Sequence, residues 1–375
     1  PCHRRGNGWA CCDESRDMSR PVLARRDQVL RGGQPLAFGV GLLVALVVGV
    51  VLLMGSGHDP IRVYERMFDA SLGSSRAWSV TLNRAVPLGL AGLAVAVAGS
   101  MGLWNIGAEG QIMAGAIGAT WVARIGEGWP GPVLVPAMLA AAVVGGGLLA
   151  LGPAVARARI GVNEIITTLM LNEVALRLVQ WLIHGRWKDP DSHGFPLAPM
   201  LPEQGRLPNL FERAHVGVVL AGVVIALFGL AASRTAWGYE LRVAGSSGAT
   251  ARYAGISLQR KILTVLVLSG GVAGFAGGVE LTGTADRITE GLSNGFGFAG
   301  IIVAALALMR PSGVAAVALL FGAVQIGGQS IQTMGVSSSV STILQALILF
   351  GAIAAGVFSR YRVEMVSGDA AEAVT

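Results

Sequence analysis

The chain has 375 residues, of which 53% are hydrophobic and 13% are charged, and soluble domains usually carry about twice that charged share. The net charge of +6 does not indicate nucleic acid binding, because the basic residues are spread over short segments without a dense patch or aromatic neighbours. The mean hydropathy is +0.62, and the apolar residues form long blocks of the length that a helix needs to cross a hydrocarbon layer of roughly 30 Å. We therefore predict an all-α polytopic membrane protein.

Residues 1–35 form a polar leader that is predicted to be cytoplasmic and disordered. The first seventeen residues contain no apolar stretch of the length that a signal peptide requires. The three cysteines of the chain, Cys2, Cys11 and Cys12, all lie in this leader, so no disulfide framework is expected to hold the bundle. Together with His3 they show no recognised metal-ligand spacing, and we expect neither a metal nor a cofactor on this chain.

Apolar blocks between polar breaks predict ten membrane-spanning helices. In chain order they are 36–54, 83–103, 106–124, 132–153, 163–183, 214–233, 260–282, 296–310, 313–330 and 338–358. The third follows a sharp break, and Pro311 between the eighth and ninth favours a tight turn over one long helix. Residues 36–358 thus form the predicted transmembrane domain, which a cytoplasmic tail at 359–375 follows.

The distribution of Lys and Arg predicts that both termini lie in the cytoplasm. With this orientation, each predicted cytoplasmic loop that carries any charge carries basic residues. External basic residues such as Arg62 and Arg66 are accompanied by acids such as Asp59 and Glu65. The topology is therefore ten spans with both ends inside.

Three segments outside the spans are long enough to have structure of their own. In the external loop 55–82, residues 59–78 place apolar side chains at helical spacing, which predicts an amphipathic helix on the outer membrane surface. The external loop 184–213 is rich in Pro, Gly and charge. The cytoplasmic segment 235–259 predicts two short helices separated by a Gly-Ser-rich break, and such a polar segment needs a partner surface or lipid headgroups to cover it.

A break at 104–111 combines two glycines with Asn105, Glu109 and Gln111. Non-helical backbone at membrane depth is tolerated only where it is buried in protein or lines a water-filled cavity. The segment is predicted either to lie near a solute path or to form a structural turn in which Glu109 merely caps neighbouring backbone N–H groups.

The fifth predicted span carries Glu164, Thr168 and Asn172 four residues apart, so they share one helix face. Such a polar stripe suits the wall of a cavity, and it equally suits interhelical hydrogen bonds of about 0.6 kcal/mol each. Glu173 and Arg177 are also four residues apart, with the acid nearer the N-terminus, and are interpreted as a mainly structural ion pair.

No motif for catalysis or ATP binding is found in a suitable context. The glycine pattern at 295–300 follows no strand, and the nucleophile-elbow pattern at 291–295 lies in a short external loop. Neither of the two lysines, Lys188 and Lys261, belongs to a P-loop. If transport is driven by ATP, the ATPase is a separate chain, and 235–259 is the cytoplasmic segment between spans that is large enough to meet it.

Six motifs resemble, in the same order, the permeases of nucleoside and simple-sugar ABC importers, in the ribose/branched-chain-amino-acid permease superfamily. They are 105–111 (NIGAEGQ), 161–172 (GVNEIITTLMLN), 238–242 (GYELR), 251–256 (ARYAGI), 268–277 (LSGGVAGFAG) and 295–301 (GFGFAGI). The resemblance runs from about residue 59 to residue 358, nearly the whole membrane portion.

The resemblance implies a type II ABC importer-like bundle in the cell membrane of a prokaryote, with no enzymatic activity in this chain. The implied partners are a second permease subunit (homo- or heterodimer), cytoplasmic ATPase subunits that bind ATP and Mg, and an extracytoplasmic solute-binding lipoprotein or periplasmic protein. It also implies that segment 237–256 docks into the ATPase. The NIGAEGQ-type motif favours nucleosides as the solute.

The resemblance further assigns residues to two roles, to which the polar stripe adds Thr168. The candidate translocation pathway is formed by Asn105, Glu109, Gln111, Asn163, Glu164, Thr168 and Asn172. The candidate coupling residues are Tyr239, Glu240, Arg242, Gly245, Arg252, Tyr253 and Gly255.

Departures from the family pattern leave the solute and the coupling geometry open. Residues 246–250 (SSGAT) replace the usual Asn-Pro-containing turn, and Glu173 replaces a common aromatic residue. A simple-sugar or branched-chain amino acid permease is an alternative, as is an ion-coupled secondary transporter, which usually carries charged relays deep in several spans. A membrane-embedded enzyme is disfavoured, because no nucleophile, metal set or acid–base pair is found.

Overall fold

The computed structural model describes residues 3–5, 8–10, 20–25, 33–193, 195–358 and 361–366. The chain divides into two compact units. One comprises residues 1–52 together with 346–375, and the other comprises residues 53–345. Each unit is described by itself below.

The smaller unit contains parts of two helices and four short strands. Helices α1 (Gly33–Gly55) and α13 (Ser338–Phe358) contribute to it, and Gly351 of α13 lies directly against Gly41 of α1. The strands β1 (His3–Arg5) and β2 (Gly8–Ala10) pair antiparallel, as do β3 (Arg20–Arg25) and β6 (Tyr361–Val366). Most of the predicted leader lies outside the described residues, and its disorder stays a prediction.

The larger unit is a bundle of helices with one short hairpin. The hairpin, β4 (Asn209–Phe211) and β5 (Ala214–His215), lies at the end of the predicted external loop 184–213. The chain is thus mostly helical, and the all-α prediction was too strict. The helices are α2 (Pro60–Leu72), α3 (Ser75–Gly99), α4 (Ala108–Ile125), α5 (Gly131–Val155), α6 (Glu164–His184), α7 (Gly217–Arg234), α8 (Ala236–Ser246), α9 (Gly248–Tyr253), α10 (Leu258–Glu280), α11 (Phe296–Leu306) and α12 (Pro311–Ser330).

Among the described residues, six helices are long and apolar enough to cross a membrane. They are α3, α5, α6, α7, α10 and α12. A π-helical turn extends α5 to Ile160 and another extends α10 to Ala285, and a 3-10 turn extends α12 to Met334. Shorter apolar helical stretches cover Gly39–Gly55, Phe296–Leu306 and Ser338–Ile348. A helix lies over each of the ten predicted spans, but the span count and the orientation stay predictions.

Two predicted boundaries were wrong because of local capping and turns. The single surface helix predicted for 59–78 is divided, since α2 ends before Gly73 and Ser74 caps α3 by accepting a hydrogen bond from the N–H of Ala77 (3.1 Å). The break predicted at 104–111 lies at 100–107, so Glu109 belongs to the first turn of α4. In contrast, the two short helices predicted in 235–259 are confirmed as α8 and α9, which are separated by Ser247.

Helices α4, α5 and α10 meet through glycines. Gly115 of α4 lies against the backbone of Gly274 in α10, and Gly146 of α5 contacts the same turn of α10. One turn further on, Gly277 of α10 lies against the backbone of Ile112 in α4. Small residues let helix backbones approach closely in membranes, where association depends on packing and hydrogen bonds. These contacts hold α4 and α10 in the position that the site described below requires.

We expect the substitution Gly277→Ala to destabilise the protein, because the added Cβ would overlap the carbonyl group of Ile112, which is backbone and cannot move alone. Overpacking of this kind costs about 1–3 kcal/mol. The measurement is the apparent melting temperature of the detergent-purified protein. Gly222→Ala on α7 is the control, since its Cβ would meet nothing within 4 Å. Equal melting temperatures for the two variants would contradict the close contact.

Candidate functional site

Asn105 holds the break at 100–107 to its surroundings. Its Nδ2 donates to Gln111 Oε1 and to Ser269 Oγ, each at 2.7 Å, and its Oδ1 accepts from Gln111 Nε2 (3.1 Å) and from the N–H of Gly107 (3.1 Å). Ser269 of α10 in turn donates to the carbonyl oxygen of Ala94 in α3 (2.6 Å). Asn105 and Gln111 are only 1% and 2% exposed. The predicted pair is therefore brought together, and it connects the break to three helices.

The polar stripe of α6 faces this break. Glu164, Thr168 and Asn172 are all buried, which confirms that they share one face of the helix. Asn172 Oδ1 accepts from the N–H of Gly110 (2.9 Å), and its Nδ2 donates to the carbonyl oxygen of Ile106 (2.9 Å). Asn172 thus bridges the end of the break and the first turn of α4.

The start of α6 is fixed by two different contacts. Glu164 pairs with Nε of Arg157 (3.2 Å) in the π-helical turn that extends α5, and it also accepts from the N–H of Trp104 (3.4 Å). Thr168 donates within the helix, to the carbonyl oxygen of Glu164 (2.6 Å). Asn163 lies apart from these residues. It is exposed and caps α6 by accepting from the N–H of Ile165 (2.9 Å).

Glu109 reaches from α4 to the segment that precedes and opens α11. Its carboxylate accepts from Ser293 Oγ (2.6 Å) and from the N–H groups of Gly295 (2.9 Å) and Gly297 (2.7 Å). A negative charge is favourable at a helix N-terminus, where backbone N–H groups lack intrahelical partners. Glu109 therefore caps backbone N–H groups, but they belong to a distant segment of the chain and not to the neighbouring residues that one of the two alternatives predicted.

A row of charged and polar groups lies on the exposed side of α6, and we call it the charged strip. It comprises Glu173, Arg177 and Gln180 of α6 and Glu290 of the loop before α11. Arg177 and Glu173 form the predicted ion pair (3.8 Å), and their side chains are 71% and 70% exposed. Gln180 accepts from Arg177 (2.9 Å) and donates to Glu290 (3.2 Å). With a rise of about 1.5 Å per residue, Glu173 lies roughly 14 Å along the helix from Glu164.

A cavity of about 250 Å³ joins the charged strip to part of the predicted pathway set. Glu109 and Asn172 line it beside Glu173, Glu290 and Asn294. The remaining predicted pathway residues do not line this cavity. Four of them are buried, namely Asn105, Gln111, Glu164 and Thr168, and Asn163 caps the start of α6. The sequence interpretation of the Glu173 pair as mainly structural did not include it in the site.

The coupling segment divides into exposed and anchored residues. Tyr239 and Tyr253 are 61% and 97% exposed, and Arg252 beside Tyr253 is also exposed. Glu240 pairs with Lys261 of α10, and Arg242 donates to the carbonyl oxygen of Ala232 in α7. The first group is exposed on the surface, and the second fixes α8 to the bundle.

The two predicted coupling glycines have conformational roles. Gly245 of α8 lies against the backbone of Ser100 and Met101, where α3 ends and the break begins. Gly255 follows α9 with φ +75°, a conformation that favours glycine.

A second pair of ionisable groups was missed. Arg84 of α3 and Glu280 of α10 line a separate cavity near the β4–β5 hairpin. Glu280 lies inside the predicted span 260–282, and an acid within a membrane span is a functional signal by itself. Its position in an otherwise apolar, glycine-rich helix could have identified it, whereas its partner on another helix could not be read from the sequence.

The comparisons with known proteins agree with this architecture. The family model described as "Branched-chain amino acid transport system / permease component" matches residues 79–353. The glucose ABC transporter permease protein TsgB13 of Haloferax volcanii is 37% identical over 88% of this chain and 90% of its own length. The guanosine ABC transporter permease protein NupP of Bacillus subtilis is 31% identical over 88% of this chain and 94% of its own length. The nucleoside ABC transporter permease protein NupB of Lactococcus lactis is 28% identical over 83% of this chain and 88% of its own length.

We expect Glu109→Gln to loosen the start of α11, because the amide loses the negative charge and turns a donor toward N–H groups that need an acceptor. Hydrogen bonds to charged groups contribute about 1.5–3 kcal/mol, so amide hydrogen exchange in peptides covering 293–297 should accelerate by about tenfold or more. Glu127→Gln, at an exposed turn after α4, is the matched control. Unchanged exchange in Glu109→Gln would show that the carboxylate does not hold this segment.

Proposed function

The chain belongs to the permease-component family of branched-chain amino acid transport systems, and from this premise we propose that it forms the translocation pathway of an ATP-driven importer for nucleosides or sugars. It is a permease of the ribose/nucleoside ABC importer superfamily. The relatives are named for glucose, guanosine and nucleosides, which all carry a ring with several hydroxyl groups. This shared chemistry favours nucleosides and sugars over branched-chain amino acids.

The charged strip is the observation that carries the pathway. Glu173 and Arg177 are about 70% exposed near the middle of a helix that is long and apolar enough to cross a membrane. A charged side chain at the centre of a bilayer costs about 2.5–3.5 kcal/mol even on the most lenient scale. The strip therefore faces water or another protein instead of lipid. We propose that it lines a water-filled pathway between this chain and a second permease subunit.

The predicted pathway residues contribute to this wall in two ways. Glu109 and Asn172 line the cavity next to the strip. Four buried residues hold this wall in place, namely Asn105, Gln111, Glu164 and Thr168. Asn163 caps the start of α6. The proposed topology has ten spans with both termini in the cytoplasm, so the hairpin β4–β5 faces a solute-binding protein outside. The cell membrane of a prokaryote is the proposed location.

Helices α8 and α9 are the proposed docking site for the ATPase subunits, which would bind ATP and Mg. Their exposed Tyr239, Arg252 and Tyr253 are of the residue types that dominate the binding energy at protein interfaces. Gly245 lies against the beginning of the break, and the break contacts α6 through Asn172. Movement of α8 would thus reach the pathway through packed backbone, without a flexible linker.

Cysteine labelling tests the pathway. In a variant without the three natural cysteines, Glu173→Cys should react with a membrane-impermeant thiol reagent in the assembled complex, because position 173 faces water. Leu148→Cys on α5 is the control. Leu148 is 63% exposed on an apolar membrane helix, so in the membrane it faces lipid and should not react. Labelling at 148 but not at 173 would contradict the proposed pathway.

Uptake by the reconstituted complex tests the function and the coupling together. The complete importer should take up guanosine or D-glucose in an ATP-dependent manner and should not take up leucine. Arg252→Glu should abolish this uptake while membrane insertion is retained, because it reverses a charge on the proposed ATPase contact. Arg159→Glu, also exposed and also predicted to be cytoplasmic, should transport normally. Normal uptake by Arg252→Glu would remove the coupling assignment.

A further inference from the structure

A polar cavity lies between α3, α10 and the β4–β5 hairpin, and shares no lining residue with the cavity of the charged strip. Its volume is about 390 Å³, within the range of roughly 300–1,000 Å³ that is usual for small-molecule sites. Arg84, Glu280 and Thr284 line it together with the apolar side chains of Val80 and Ile326. Polar groups that converge in one cavity are typical of a binding site.

Three ionisable groups line this cavity. Arg84 and Glu280 lie on α3 and α10, and the exposed Arg213 lies in the turn of the hairpin. Glu280 is only 7% exposed near the end of α10. The guanidinium carbon of Arg84 lies 4.6 Å from the ring centroid of Phe296, and its Nε donates to Gln325 Oε1 (2.8 Å). The opposite charges of Arg84 and Glu280 interact across the cavity. Ionisable groups in membrane helices are rare because they are costly, and they mark functional sites.

Part of this polar set is committed to the fold, and part is free. Asn83 donates to the carbonyl oxygen of Arg213 (2.6 Å) and accepts from the N–H of His215 (3.2 Å), so its amide fixes the hairpin. The Nη groups of Arg84, by contrast, donate to no group among the residues that the structure describes. Glu280 and Thr284, four residues later, also line the cavity. The Thr284 hydroxyl group interacts with the carboxyl group of Glu280, and it lies 3.5 Å from His215 Nε2.

A donor and an acceptor placed across one cavity select the chemistry of the ligand. An anion would meet the carboxyl group of Glu280, a cation would meet the guanidinium groups of Arg84 and Arg213, and an apolar molecule would leave the Nη groups of Arg84 without an acceptor. A hydroxyl group both donates and accepts. Neighbouring hydroxyl groups on a ring can therefore bind both side chains at once without separating their charges.

We propose that this cavity binds the polyhydroxylated ring of the transported solute, the sugar itself or the ribosyl part of a nucleoside, through Arg84, Glu280 and Thr284. This inference rests on the proposed function and adds a second site to it. The cavity lies at the end of the bundle that carries the predicted external loop 184–213, so a solute from outside reaches it before the middle of the membrane. Phe296 beside Arg84 opens α11, whose N–H groups Glu109 holds from the other side. One loop therefore separates this cavity from the charged strip.

Direct binding to the purified permease in nanodiscs tests the site. The probes are radiolabelled guanosine and D-glucose, with ribose and leucine as competitors. Glu280→Gln and Arg84→Lys should each weaken probe binding about ten- to hundredfold, since each loses a hydrogen bond to a charged group and lysine lacks the planar fork of arginine. Ribose should compete with the probe, and leucine should not. Glu212→Gln, an exposed acid in the turn of the same hairpin, is the control and should bind normally.

Thr284→Val removes a hydroxyl group with little change in shape, and it carries the test if Glu280→Gln does not fold. Its affinity should fall about fivefold or more, as expected for one neutral hydrogen bond. Equal affinity of all variants and the native chain, or competition by leucine without competition by ribose, would overturn the inference. The proposed function would then stand if the native complex imported guanosine or D-glucose. Failure of the native complex to import either solute would instead overturn the proposed function, and this inference with it.

Discussion

The break between α3 and α4 is the constraint on which the rest of the site depends. Backbone groups at membrane depth must find partners inside the protein, and 100–107 leaves the helical conformation between two helices. Its partners come from the break itself and from α6. Asn105 satisfies the N–H of Gly107, Asn172 binds the carbonyl oxygen of Ile106, and Glu164 accepts from the N–H of Trp104. The polar residues of the site therefore serve first to form hydrogen bonds with the backbone groups of this break.

That constraint gives α6 two faces with different requirements. The buried face binds the break, and the opposite side carries Glu173 and Arg177, which cannot face lipid. One helix, α6, thus contacts the buried backbone of the break on one side and carries charged side chains that require a polar environment on the other. In the proposed mechanism, a rotation of α6 would change both surroundings at once, and a displacement at the break would thereby change the wall of the proposed pathway. No flexible element is needed for this transmission.

Periodicity and apolar blocks predicted the helical segments because those signals are local. The shared face of Glu164, Thr168 and Asn172 follows from helix geometry alone, and the structure confirms it. Contacts between distant segments were not readable in the same way. The partners of Glu109 are backbone N–H groups more than 180 positions away, and such groups leave no trace in residue type. The prediction of helix ends failed for a related reason. The amphipathic pattern of the sequence continues across Ser74, but Ser74 caps a new helix in the structure.

Three pairs of opposite charge lie at three depths of the proposed path. Arg84 and Glu280 lie at the end with the predicted external loop, Glu173 and Arg177 near the middle of α6, and Arg157 and Glu164 at its predicted cytoplasmic end. Each pair offers donors and acceptors of opposite charge, to which Glu109 and Glu290 add acids at the middle pair and Arg213 adds a cation at the outer pair. An ion would be attracted by one member of a pair and repelled by the other. A neutral solute with several hydroxyl groups can form hydrogen bonds with both members. Selectivity in membrane pathways depends on such electrostatic barriers and on the hydrogen-bonding groups that line them. The donors and acceptors that these pairs place side by side therefore suit a neutral solute with several hydroxyl groups.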